Sequence, residues 1–194
     1  YNNVTTYGTS SSNHGIFVNS ASTQIIQGNI VVIKGTGTSS YGIYVASGAG
    51  NNISSNNVTT TASSDHALYI ASASSSNNIE KNIVRTTSSS SYGIYLLSAS
   101  SNVTGNNVTT TSTAYGFYIT SDYNRILSNI ITTSNYHGMY LTGADSNLIT
   151  GNTITATGSA TNGVYLLTNS QSNMFSLNTI KTTGSSSYGI YFSA

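Results

Sequence analysis

Four side chains of this 194-residue chain can act as carboxylate acids or bases, Asp65, Glu80, Asp122 and Asp145, and five carry a fixed positive charge. Hydrolysis or elimination on a polysaccharide needs two such groups facing one bond, one to deliver a proton and one to attack, abstract or activate water. Aligned on a recurring asparagine, Asp122 and Asp145 hold equivalent places in successive repeats, about 5 Å apart at the spacing of hydrogen-bonded strands. That separation suits a retaining glycosidase or a calcium ion. Both stand two residues before an asparagine in segments that read as turns, where Asp is an ordinary turn former, and no third acid shares their column. Asp122 and Asp145 are the candidate catalytic pair of the chain, and the expected reading is that it is not an enzyme. Glu80-Lys81, with Arg85, reads as a solvated surface cluster.

His14, His66 and His137 share a column just ahead of a small residue, but never in adjacent repeats. Ligands of one zinc or copper ion must converge within a few ångströms, so the spacing predicts no metal site, and no cofactor is expected. Cysteine is absent, which removes thiolate chemistry and disulfides.

The elements that position these groups are set by a period. An asparagine returns at Asn2, Asn29, Asn56, Asn82, Asn106, Asn129, Asn152 and Asn178, at spacings of 23 to 27 residues. A unit of that length cannot bury an apolar face alone and must stack on its neighbours. Two residues after each asparagine stands Val or Ile (Val31, Val58, Val84, Val108), and three before it stands another apolar residue (Ile26, Ile53, Ile79, Val103). Farther upstream a small residue opens an alternating run, as in Gly42-Ile43-Tyr44-Val45 and Gly93-Ile94-Tyr95-Leu96. Alternation at period two means strand. Three short strands per repeat, Gly, Ser or Asn at the corners and no proline describe a parallel β-helix, all-β, with about eight coils of roughly 25 residues. The recurring asparagines should form a structural ladder in the bend between the second and third strands, each in the left-handed conformation that Asn tolerates and bonded to its equivalent in the next coil.

Alternation sends a second column outward: Phe17, Tyr44, Tyr69, Tyr95, Tyr118, Tyr140, Tyr165 and Tyr191. Such a stripe suits contact with another protein or with sugar rings, and it also suits simple ring stacking between coils. A third feature is the set of glycosylation acceptor patterns at Asn3, Asn52, Asn57, Asn102 and Asn107. Each neighbours an inward Val or Ile and so should face solvent.

Composition excludes several functions. Charged residues make up 5% of the chain against about 25% in ordinary globular domains, and the net charge is +1. No basic run is available for nucleic acid, and no apolar stretch is long enough to span a bilayer. So few charges predict stability insensitive to salt and to pH between 4 and 9.

The whole repeat, from Gly93-Ile94-Tyr95-Leu96 through Asn106-Asn107-Val108-Thr109, resembles the right-handed parallel β-helix repeats of the pectate-lyase-like superfamily, in particular those of NosD-like and archaeal surface proteins. The resemblance covers the entire chain and implies a right-handed solenoid. It leaves function open, since that superfamily holds lyases, hydrolases, adhesins and non-enzymatic scaffolds. Its lyases work with a basic residue beside bound calcium, and the acidic residues that would hold the ion have no counterpart here. The expectation is a single domain over residues 1–194, part of a longer chain or of a stacked assembly. It reads as a structural protein of the cell surface, a sheath or a filament, self-associating through its ends and its tyrosine face. The alternative is an adhesin or glycan-binding module that uses the same stripe.

Overall fold

The computed structural model describes residues 1–193, and every regular element in them is a β-strand. The strands fall into three parallel sheets. Sheet A holds eight strands of four residues, from Asn3–Thr6 to Thr179–Thr182. Sheet B holds eight, from Ile16–Val18 to Ile190–Phe192 and including the longer Ile43–Ala49 and Leu68–Ser75. Sheet C holds seven, from Ile25–Gln27 to Met174–Ser176. The chain visits A, B and C in turn, so it makes seven complete turns of a right-handed parallel β-helix and two strands of an eighth.

Register follows the repeat. Asn3, Ile30, Asn57, Ile83, Asn107, Ile130, Thr153 and Thr179 are successive Cα partners along sheet A. The inward columns expected from the sequence form the core. Val31, Val58, Val108, Ile131 and Ile154 from sheet A meet Ile53, Ile79, Val103, Ile126 and Ile149 from sheet C, all fully buried. Each such side chain contributes about 1.5–3 kcal/mol by leaving water. The small residue ahead of the aromatic strand is a packing requirement: a Cβ on Gly93 would lie 2.3 Å from Val108 Cγ1 and 2.7 Å from the Gly116 carbonyl oxygen.

The C–A and B–C corners, and the A–B corner in several coils, use one device. A residue with positive φ turns the chain, and the side chain that follows accepts a backbone N–H from the coil before. Between sheets C and A the turning residue is Gly28, Ser55, Lys81, Gly105, Ser128, Gly151 or Leu177, and the acceptor is the recurring asparagine. The left-handed residue is therefore the one before the asparagine, contrary to the sequence expectation. The asparagine keeps the strand-like backbone that aims its own N–H at the next coil, as Asn82 N does to Asn106 Oδ1 at 2.9 Å.

Between sheets B and C a second ladder runs through Asn51, Asn77, Ser101, Asn124, Asn147 and Asn173, each five residues before a rung of the first. Ser101 is its short rung. Its Oγ accepts the Asn77 N–H, but Asn77 Nδ2 is buried with no partner. Ser101→Asn should supply the missing oxygen and raise stability by about 1 kcal/mol, read as a higher urea midpoint at unchanged m-value. An unchanged or lower midpoint would contradict this account of the corner.

Candidate functional site

The aromatic column lies on sheet B in unbroken register, Phe17 on Tyr44 and so on through Tyr165 on Tyr191. Neighbouring rings sit 4.8 to 5.4 Å apart between centroids. The strand spacing of about 4.8 Å imposes that distance. A parallel column, His14, Tyr41, His66, Tyr92, Tyr115 and His137, packs against its flank, for example Tyr41 on Tyr69 at 4.5 Å and Tyr115 on Tyr140 at 4.6 Å. The result is a ribbon two rings wide along the rod. The rings point outward as alternation requires, but from Tyr44 to Tyr165 they are half-buried by one another, and only Phe17 and Tyr191 count as exposed. The stripe is thus a surface of mutually packed, variously tilted rings more than a row of open platforms. Burial raises the Tyr41, Tyr92, Tyr95, Tyr118 and Tyr140 phenols above their ordinary range and pushes Tyr69 up to about 12, with neighbouring tyrosines adding to the shift at Tyr69, Tyr92 and Tyr95.

The histidines are built into it. His14, His66 and His137 each accept a backbone N–H at Nδ1, from Tyr41, Tyr92 and Asn162 at 3.1, 3.1 and 2.8 Å. Desolvation lowers all three, His66 and His137 to about 4. They lie in the first, third and sixth coils and share no common point. Among the described residues no group of three or more His, Cys, Asp or Glu side chains converges.

Asp122 and Asp145 are brought into one column, as expected, but face backbone and not each other. Asp122 Oδ1 accepts the Asp145 N–H at 2.7 Å, and Asp145 Oδ1 accepts the Gln171 N–H at 2.6 Å. They act as corner caps, and among the described residues the surface holds no cavity in which a substrate could lie between them. Asp65 plays the same part at the A–B corner, where Ser40, Ser91 and Ser187 do so in other coils. Its Oδ1 accepts the Ser40 N–H at 2.8 Å, its Oδ2 is buried without a partner, and burial pushes its carboxyl up to about 6.

The five acceptor asparagines divide. Asn3, Asn57 and Asn107 are exposed on sheet A. Asn52 and Asn102 are not free as expected: they sit in an outward ladder on sheet C, where Asn102 Nδ2 donates to Asn78 Oδ1 at 3.0 Å and Asn52 Oδ1 is buried. The sequence shows a residue faces outward; it does not show that two outward amides bond to each other. The second buried ladder was also missed, although its signal, an asparagine five residues ahead of the first, is present in five coils.

The family profile described as periplasmic copper-binding protein (NosD) matches residues 74–188. No curated protein sequence matches the chain. Among solved structures, a mutant of the periplasmic alginate epimerase AlgG superposes with a TM-score of 0.57 at 16% identity, over 89% of this chain and 47% of that one. The chain thus spans about half the length of that protein, and at this identity the likeness is one of fold.

Proposed function

The chain belongs to the periplasmic copper-binding protein (NosD) family, and from that premise we propose that it is a non-enzymatic structural module of the cell envelope or cell exterior, assembling through its solenoid ends and its aromatic ribbon. The single observation that supports this reading most is the ribbon itself, its outward column continuous over eight coils and free of Lys, Arg, Asp and Glu, since an unbroken outward aromatic surface is a contact surface. The terminal coils add to it: Val4 and Ile16 at one end, and Phe175, Ile180 and Ile190 at the other, belong to inward columns yet are only half-covered. A further coil, from the same chain or another, would cover them.

Copper does not fit the residues present. Each histidine has one ring nitrogen committed to a backbone N–H and stands at least two coils from the next, roughly 10 Å by strand spacing. Met139 is fully buried in the core, Met174 is exposed on the last strand of sheet C while the histidines flank sheet B, and Cys is absent. A copper site needs several soft or imidazole donors on one ion, and among the described residues the histidines stand apart from one another.

Negative-stain imaging and sedimentation of the purified chain test the structural reading. Filaments, sheets or concentration-dependent association are expected, and Tyr95→Ser with Tyr118→Ser and Tyr140→Ser should disperse lateral assemblies while leaving a folded solenoid. Monodisperse protein at all concentrations would overturn it. A glycan-binding use of the ribbon is favoured by the half-exposed tyrosines along its length, and predicts instead that the triple variant loses retention on a glycan column without any change in association state.

A further inference from the structure

Three of the five glycosylation acceptor patterns stand in one column of sheet A. Asn3, Ile30, Asn57, Ile83, Asn107 and Ile130 are partners in successive coils, so Asn57 and Asn107 each have an isoleucine on either side and Asn3 has one in the next coil. The isoleucines are 46, 54 and 50% exposed, a regular apolar file left open on a polar face. A strand repeats every two residues, so Thr5, Thr59 and Thr109 face outward with their asparagines while Val4, Val58 and Val108 point inward. Asparagine and hydroxyl are thus presented together. The other two patterns are closed. Asn52 Oδ1 is buried and Ser54 is only 3% exposed, while Asn102 Nδ2 donates to Asn78 Oδ1 and Asn102 Oδ1 accepts from Thr104 Oγ1 at 2.9 Å.

We propose that Asn3, Asn57 and Asn107 carry asparagine-linked oligosaccharides whose first sugars lie over Ile30, Ile83 and Ile130, and that Asn52 and Asn102 carry none. The inference rests on the exterior location proposed above. The donor is an oligosaccharide linked to a lipid phosphate. The asparagine Nδ2 forms a bond to the anomeric carbon of the first sugar, the bond from that carbon to the phosphate oxygen breaks, the phosphate leaves on its lipid, and one amide proton passes to a base of the transferase. Attachment costs the fold nothing at the three open sites, whose side chains belong to none of the amide ladders. At Asn102 it would take a hydrogen from an amide already bonded at both its nitrogen and its oxygen. Strand spacing of about 4.8 Å brings each neighbouring isoleucine within reach of the first ring. The C–H face of a sugar then withdraws that apolar surface from water. A bulky, hydrated group on every second coil also keeps sheet A from pairing with another copy, leaving sheet B as the contact face.

The test is peptide mapping by mass spectrometry of the chain purified from the cells that make it. Glycopeptides containing Asn3, Asn57 and Asn107 are expected, with Asn52 and Asn102 unmodified. Bare Asn57 and Asn107, or a glycan on Asn52 or Asn102, would overturn the proposal. A variant combining Thr5→Ala, Thr59→Ala and Thr109→Ala, made in the same cells, should lose all three glycans and bind more of an apolar fluorescent dye. Adding Ile30→Ser, Ile83→Ser and Ile130→Ser should abolish that gain. Dye binding unchanged by loss of the glycans means that the sugars do not cover the isoleucines, and sinks that part of the assignment. All these substitutions lie on the outward face of sheet A, and circular dichroism checks the fold of each variant. Occupancy is read on sheet A and association on sheet B and the rod ends, so failure of one leaves the other standing.

Discussion

Asn106→Ala should be among the most damaging single substitutions in the molecule, costing about 3–5 kcal/mol in urea unfolding. Asn106 Oδ1 accepts both the N–H and the Nδ2 of Asn82 at 2.9 Å. Its own Nδ2 donates backward to the Ile79 carbonyl at 2.9 Å and forward to Asn129 Oδ1 at 3.0 Å. Every polar atom of the amide is used, and the side chain is fully buried. Truncation strands two donors on Asn82 and removes a donor from Ile79, at a site closed to bulk solvent. Asn106→Asp should be comparably harmful although nearly isosteric, because it sets an oxygen against two oxygens and buries a charge. Asn2→Ala, at an exposed rung, is the control and should cost far less. Since each coil touches only its neighbours, loss at Asn106 should also broaden or split the transition. A midpoint within about 0.5 kcal/mol of the parent would refute the ladder as a principal source of stability.

The second large effect is acid destabilisation, against the sequence expectation that so few charges would leave stability flat between pH 4 and 9. His66 is 8% exposed and its folded pKa is about 4, below the ordinary 6.5. The unfolded chain therefore binds this proton first, and the contribution of neutral His66, roughly 3 kcal/mol, is complete above pH 6.5 and lost as pH falls to 4. His137 titrates over the same window with the same sign. Asp65 acts oppositely. Its carboxyl is raised to about 6, so the folded chain takes up its proton first and stability is regained as pH falls from 6 through 3.8. Two histidines outweigh one aspartate, and thermal midpoints should fall between pH 6.5 and 4. His66→Phe should flatten that slope. Asp65→Asn should raise stability at pH 8, where the parent buries an anion, and steepen the acid limb by removing the opposing group. A flat profile in the parent, or an unchanged slope in His66→Phe, would sink the assignment.

The fold was legible because a buried column repeats its residue type. Val31, Val58, Val84 and Val108 occupy one place in four coils, and so announce both the period and the inward face. The count of about eight coils corresponds to seven full turns and two strands. Titration was illegible because it depends on desolvation, which composition does not measure: nothing in the sequence sets Asp65 apart from the other acids, yet it is fully buried. The outward residues were legible in direction only. Nothing in a strand's alternation says that Tyr41 will lie against Tyr69, since that contact joins residues of different columns in different coils. The alternation of Asn and Ile on sheet A was visible in the sequence, but the exposure of the isoleucines was not.

In the first ladder every Oδ1 receives from the coil before it and every forward Nδ2–H points to the coil after. The rod is consequently a vector. Its leading end offers amide hydrogens and its trailing end offers an amide oxygen, so like ends repel and unlike ends match. Docking by the ends, as proposed above, could not close on a dyad; it would proceed by translation along one axis, with no inherent limit on the number of units.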